Sequence, residues 1–122
     1  MTHYLYISGP ITGQEDTAEK RFLECEEWIM ENTLYTPFNP YFANIMKLSN
    51  DGIGNPTSED YMRSSFYFMT IKPHTSIVFL PGFQFSHGCN LENWIAVNLK
   101  YNKMFFDPSV PIINGIPKEM MK

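Results

Sequence analysis

Glu92 stands at the end of the stretch Ser86-His87-Gly88-Cys89-Asn90-Leu91-Glu92, one helical turn beyond a glycine and close to a hydroxyl. A carboxylate in that company is a candidate catalytic group. The stretch follows a strongly β-forming apolar run, Thr75 to Leu80, and leads into a helical pattern, so its polar residues fall where a strand gives way to a loop and a helix start. In open α/β proteins the loops beyond the carboxyl ends of the strands build the ligand site. A second polar loop, Tyr6-Ile7-Ser8-Gly9-Pro10-Ile11-Thr12-Gly13, has the same setting near the N-terminus. Its glycines let the backbone approach a ligand, and the following helix start offers unpaired amides.

Each of these residues also has a plainer reading. The N-terminal loop fits an ordinary turn after a first strand; it lacks the Lys-Ser/Thr of a P-loop and does not fit G-x-G-x-x-G. Ser86 fits a helix N-cap, and Glu92 a solvated helix glutamate. His87 and His74 have no second ligand at helical spacing, so they read as surface or hydrogen-bonded histidines and no metal site is expected. Cys89 reads as a packed small hydrophobe. Asp60 and Arg63 fit a cap-side acid and a surface base.

The elements that must position these groups alternate in type. Leu5-Tyr6-Ile7 is a short strand ended by Ser8-Gly9-Pro10. From Gln14 the pattern is helical, with Ala18, Phe22, Cys25 and Ile29 spaced by four, three and four and with acid at Glu15, Asp16 and Glu19. Leu34 to Phe38 is a second strand in which Pro37 suits only an end or an edge. Residues 40–57 mix turn formers with a short apolar segment, Phe42 to Leu48, and Asn50 to Pro56 is loop.

Thr57 or Ser58 caps a helix that runs from Glu59 and Asp60 to about Ile71, where Pro73 stops it. Ser76 to Leu80 has no polar interruption after its serine and is expected to be a central strand buried on both faces. A helix is expected over about Gly88 to Lys100, with Leu91, Ile95, Asn98 and Leu99 on one face. Met104-Phe105-Phe106 is a further strand, and the tail from Asp107 has little pattern beyond Val110 to Ile113. Strands alternating with helices predict a single α/β domain over residues 1–122 with a parallel, doubly wound sheet.

Composition bounds the function. With 122 residues, 43% apolar and 16% aromatic, the chain is long enough for one domain with a core and too short for two. A net charge of −4 argues against a nucleic-acid polymer as partner. It leaves room for one small anion, because a few amides and hydroxyls bind a phosphate locally. Cys25 and Cys89 form neither a metal-ligand spacing nor a disulfide framework, which fits a reducing cytosol. No apolar run approaches membrane-spanning length and no secretory pattern opens the sequence, so a soluble cytoplasmic protein without a membrane partner is expected.

Taken together, Tyr-Ile-Ser-Gly-Pro-Ile-Thr-Gly at residues 6–13 and Leu-Pro-Gly-Phe-x-x-Ser-x-Gly-x-x-x-Glu at 80–92 resemble the nucleoside 2-deoxyribosyltransferase-like superfamily. The resemblance is strongest to a small branch found often in bacteriophage genomes. It extends through Asn39-Pro40 and Asp60-Tyr61-Met62-Arg63. It implies a Rossmann/flavodoxin-like three-layer sandwich with a mostly parallel sheet of about four to five strands. By the same resemblance, Glu92 is the nucleophile that attacks the anomeric carbon of a deoxyribosyl group and Tyr6 is the hydroxyl beside it. Ser8, Gly9, Pro10 and Ile11 then belong to the loop that approaches sugar and base.

Ser86 discriminates between two activities. Transferases acting on free nucleosides carry an aspartate there, whereas 2-deoxynucleoside 5′-monophosphate N-glycosidases carry a serine that can donate to a phosphate. With Ser86 and the amides near Gly88 as the phosphate site, the expected function is N-glycosidase cleavage of a (2-deoxy)nucleoside 5′-monophosphate. The alternatives are a nucleoside 2-deoxyribosyltransferase and an inactive nucleotide-binding protein. No cofactor is required, and relatives assemble as homodimers or larger homo-oligomers. Two departures stand out: His74-Thr75 replaces the usual Cys-Asp or Ala-Asp pair, and the acid partner of the nucleophile falls on Asp60, with Asp51 as substitute. Tyr4, Phe83 and Phe85 are candidates for stacking on the base or packing between subunits.

Overall fold

Strand β1, Tyr4–Ser8, is completely buried from Leu5 to Ser8, as a short apolar run in the middle of a sheet must be. Helix α1, Glu15–Asn32, buries Ala18, Phe22, Cys25 and Ile29, the four residues whose spacing marks its inner face. Strand β2, Thr36–Phe38, is an edge strand, which accommodates Pro37. Helix α3, Ser58–Ile71, leads to β3, His74–Phe79, and helix α4, His87–Asn98, to β4, Asn102–Asp107. The computed structural model describes residues 2–11, 13–71 and 74–122. Thr12 of the N-terminal loop and Pro73, the expected helix stop, lie outside the described residues, as do the side chains of His74 and Thr75.

The strands lie in the order β2-β1-β3-β4-β5, with β5 spanning Ile112–Asn114. The first four are parallel and β5 runs antiparallel to β4. This is a Rossmann/flavodoxin-like α/β fold, and its strand order reverses between β1 and β3. Tyr6 pairs with Ile77 and Ser8 with Phe79 in that central ladder. The Leu80 amide extends the ladder to the Ser8 carbonyl at 2.8 Å. The crevice beyond the carboxyl ends of β1 and β3 is therefore the place where this topology leaves room for a ligand.

Alternation along the strands feeds two apolar layers. Leu5, Ile7, Val78, Leu80, Met104 and Phe106 pack with the inner face of α1. Tyr6, Ile77 and Phe79 point the other way, against Met69 of α3 and Ile95 and Ala96 of α4. Tyr6 thus belongs to the layer beneath α3 and α4, with its ring stacked on Phe38 at 5.7 Å between centroids.

Three expectations need correction. Residues 40–50 form a helix, α2, Pro40–Asn50, in place of a mixed turn segment. Its start was encoded by Asn39, whose side chain accepts from the Tyr41 amide as N-cap, and by Pro40 in the first turn, where a missing N–H costs nothing. The inner face of α4 is Cys89, Glu92, Ile95 and Ala96, whereas Asn98 and Leu99 are exposed. A buried acid on that face defeats a reading based on apolar periodicity. The tail beyond Asp107 turns back to add β5, burying Ile113.

Candidate active site

Glu92 is buried, with 7% of its surface exposed, although it is a carboxylate one turn into a helix. Two hydroxyls from β1 meet it. Tyr6 donates to Oε2 at 2.5 Å and Ser8 donates to Oε1 at 2.7 Å. Ser65 of α3 lines the same cavity as Glu92. The plain reading of Glu92 as a solvated glutamate is therefore replaced by that of a buried acid held between a strand and a helix.

The electrostatics follow from this setting. Burial raises the Glu92 pKa above the ordinary carboxylate value, and the hydrogen bonds from Tyr6 and Ser8 oppose the rise. Tyr6 is pushed well above its ordinary value by burial first and by the Glu92 carboxylate second, so it remains a proton donor. Cys89 is pushed up to about 11 by burial and by Glu92, which leaves a neutral thiol in place of a nucleophile.

A cavity of about 310 Å³ opens over the carboxylate, lined by Gly9, Pro10 and Ile11, by Ser86, His87 and Gly88, and by Asn44, Ser65, Phe66 and Glu92 among others. Both polar loops singled out in the sequence meet here. Pro10 is held from α1 by Arg21, whose Nη2 donates to its carbonyl at 3.2 Å. Gly9 is required by packing: a Cβ there would lie 2.6 Å from Leu80 Cδ1 and 3.0 Å from its Cγ. Gly88 differs, since a Cβ would meet only ordinary contacts at 3.9 Å. Its bareness leaves the first-turn amides of α4 open to the cavity.

Ser86 is the N-cap that its position suggested, and it also borders the cavity. Its Oγ accepts from the Cys89 amide at 3.3 Å. An accepting hydroxyl still has its own proton to donate. Ser8, expected among the substrate-binding residues, is fully buried and serves Glu92 instead.

Asp60 is placed elsewhere. Its carboxylate accepts from the Thr57 amide at 2.8 Å and from the Thr57 hydroxyl at 3.1 Å, while the Asp60 amide donates back to Thr57 Oγ1 at 3.3 Å. This reciprocal pair is a capping box at the start of α3, reinforced by Arg63 at 2.5 Å. Those bonds, led by the Thr57 amide, hold Asp60 below its ordinary pKa, which suits a permanent anion and not a proton donor. Asp60 does not line the cavity, and neither does Asp51, which pairs with Lys47 at 3.1 Å. Asp60→Asn should lower the melting temperature, because the neutral amide gives up the Arg63 pair and the favourable charge at the helix start, and should leave the expected base release unchanged. A fall in turnover beyond twofold at saturating substrate would return Asp60 to the site.

The aromatic candidates separate as well. Phe83 packs against Phe79 at 4.6 Å between centroids, and Tyr4 begins β1 at the end of the sheet away from the cavity. Phe85 is 88% exposed at the cavity rim. Phe66 of α3, absent from the expectations, joins it there. Ser65 and Asn44 were also missed. The signal was Ser64-Ser65 set among apolar residues of an amphipathic helix, but hydroxyls at helical positions look the same whether they face water or an acid.

Among the described residues no group of three or more His, Cys, Asp and Glu side chains is placed to hold a metal ion, and no helix is long and apolar enough to cross a membrane. No curated protein and no solved structure gives a significant match to the chain. Residues 3–105 match the model of a family described as a domain of unknown function, DUF4406, and the chain belongs to that family.

Proposed function

We propose that the protein is an N-glycosidase that hydrolyses a (2-deoxy)nucleoside 5′-monophosphate, with Glu92 as nucleophile. The observation that carries this reading is the buried Glu92 carboxylate, fixed by the Tyr6 and Ser8 hydroxyls at the wall of a small-ligand cavity. An oriented carboxylate attacks the anomeric carbon as the bond to the base nitrogen breaks, and the electron pair leaves with the base. The base takes a proton from water, since Glu92 is the one carboxylate lining the cavity among the described residues. Water then attacks the glycosyl ester at the same carbon, releasing the sugar phosphate, the free carboxylate and a proton. Ser86 and the amides of His87 and Gly88 suit the 5′-phosphate, and the Phe66 and Phe85 rim suits a planar base.

Incubation with a panel of nucleoside 5′-monophosphates, followed by chromatography of the free base, tests this. Release of base from at least one deoxynucleotide is expected, with nucleosides lacking the phosphate poorer substrates. Exchange with an added second base would make the protein a transferase. The lack of a second carboxylate in the cavity among the described residues favours one other reading, a nucleotide-binding protein without turnover. Tight binding of a monophosphate with no base released would establish that reading and remove the enzymatic one. Homo-oligomerisation belongs to the same proposal and is read by light scattering.

A further inference from the structure

Arg21 stands among the acids of α1, yet among the described residues it forms no ion pair. Its guanidinium donates to backbone carbonyls instead. Nη2 reaches Pro10 at 3.2 Å, and Nε reaches Thr17, one turn back on its own helix, at 3.4 Å. The Thr17 bond ties the guanidinium to α1, so the other fixes the Pro10 carbonyl against that helix. Arg21 itself does not line the cavity, whereas Pro10 and Ile11 do.

A trans peptide unit sets its carbonyl and its N–H in opposite directions. The Pro10 carbonyl and the Ile11 N–H share one such unit, since no peptide bond among the described residues is cis. With the carbonyl turned to Arg21, the Ile11 N–H faces away from that side chain. The same rule orients Gly9. The Ser8 carbonyl accepts from the Leu80 amide at 2.8 Å, so the Gly9 N–H points away from β3, to the side where β2 has ended at Phe38 and Pro40 opens α2. Gly9, Ile11 and Pro40 all line the cavity. Among the described residues neither N–H has an acceptor, although Gly9 is buried. A buried N–H is nearly always paired, so a Gly9 donor that opens on a cavity points to an acceptor on a ligand.

The two amides differ in how they are held. The sheet fixes that of Gly9. Proline fixes its own φ and leaves its ψ free, so the Pro10–Ile11 peptide rotates unless its carbonyl is held. We propose that Arg21 is a positioning residue: by holding the Pro10 carbonyl it turns the Ile11 N–H into the cavity beside that of Gly9, and the pair donates to an acceptor on the sugar or base of the bound nucleotide. The inference rests on the nucleotide reading of the site, in which the start of α4 takes the phosphate and leaves sugar and base to this loop. Arg21 then acts on binding, because a donor that meets substrate and transition state alike changes KM and not kcat.

Turnover gives the first test. Arg21→Met should raise KM about fivefold, the factor carried by one net hydrogen bond, with kcat unchanged. Arg21→Lys keeps a donor and should bring KM back towards the unmutated value. Arg21 is half-buried and methionine keeps its apolar stem and a good helix propensity, so both variants fold. A clamp with a merely structural role would lower the active fraction, and so kcat, with KM unchanged. That result, or no change in either constant, overturns the proposal.

The second test needs no turnover. Glu92→Gln protein, nitrogen-labelled at glycine and isoleucine, is titrated by NMR with each common 2′-deoxynucleoside 5′-monophosphate and with deoxyribose 5-phosphate. Ile11→Val and Gly88→Ala assign the two signals by their loss. Binding should move the Ile11 amide proton downfield in this background and with Arg21→Lys added, but not with Arg21→Met, while Gly88 moves in all three. A move with deoxyribose 5-phosphate places the acceptor on the sugar, and one seen only with whole nucleotides places it on the base. Gly88 moving while Ile11 stays still overturns the role of Arg21 and leaves the glycosidase reading intact. Binding with no base released from the unmutated protein defeats the glycosidase reading alone, and the Ile11 comparison still decides the role of Arg21. Neither signal moving with any probe removes both.

Discussion

Glu92→Gln should abolish the proposed base release, lowering kcat by about 1000-fold or more, and should leave the fold at least as stable as before. Glutamine keeps the shape and can rearrange its hydrogen bonds with the Tyr6 and Ser8 hydroxyls, which rotate to donate or accept. It cannot form the glycosyl ester, and loss of a nucleophile removes most of the chemistry while binding persists. The stability arm has the opposite sign. A carboxylate whose pKa is raised by burial is a strained choice for the fold, so a neutral isostere should stabilise by about 1 kcal/mol. Kinetics, nucleotide affinity and thermal melting on the same preparation check all three. Base release at the unmutated rate would rule Glu92 out as nucleophile.

Much of this arrangement was legible because it is local. The spacing of Ala18, Phe22, Cys25 and Ile29 fixes the inner face of α1, and the apolar runs at Leu5 and Ile77 place the central strands. Those strands fix where the two polar loops must meet, and the pairing of Tyr6 with Glu92 that the family resemblance implied is found there. What was not legible depends on direction. Asp60 and Ser65 lie five residues apart on one helix, and periodicity alone does not say which faces the cavity. Asp60 is drawn to Thr57 by the unpaired amides of the helix start, a pull that any acid at that position feels. Ser65 has no such signal. Helix α2 escaped notice because its inner face holds Asn44 between Pro40 and Leu48, and a buried carboxamide interrupts the apolar stripe that marks a helix.

Tyr6→Phe should move the acidic limb of the pH–rate profile upward by about one pH unit, since one hydrogen bond to the anion is lost. The sign follows from two points. As the proposed nucleophile Glu92 must be ionised to attack, and its pKa already lies above the ordinary value of 4.5 because burial outweighs its hydroxyl donors. Activity in the unmutated protein should therefore rise with pH through a midpoint above that value. Removing the Tyr6 donor weakens the opposition to burial, so the midpoint climbs. On the acidic side the variant loses about tenfold in rate if the midpoint climbs by one pH unit, and on the alkaline plateau it recovers.

Stability runs the other way over the same window. The folded state binds the Glu92 proton more tightly than the unfolded chain does, so this group's contribution to stability is greatest at low pH and declines as pH rises through the folded midpoint. Tyr6→Phe should extend that decline to higher pH, and Glu92→Gln should remove it. Opposed slopes in kcat and in melting temperature, crossing one shared midpoint, are the expected signature of a single buried carboxylate. A Tyr6→Phe enzyme slowed equally at every pH would show that Tyr6 acts on something other than the charge of Glu92.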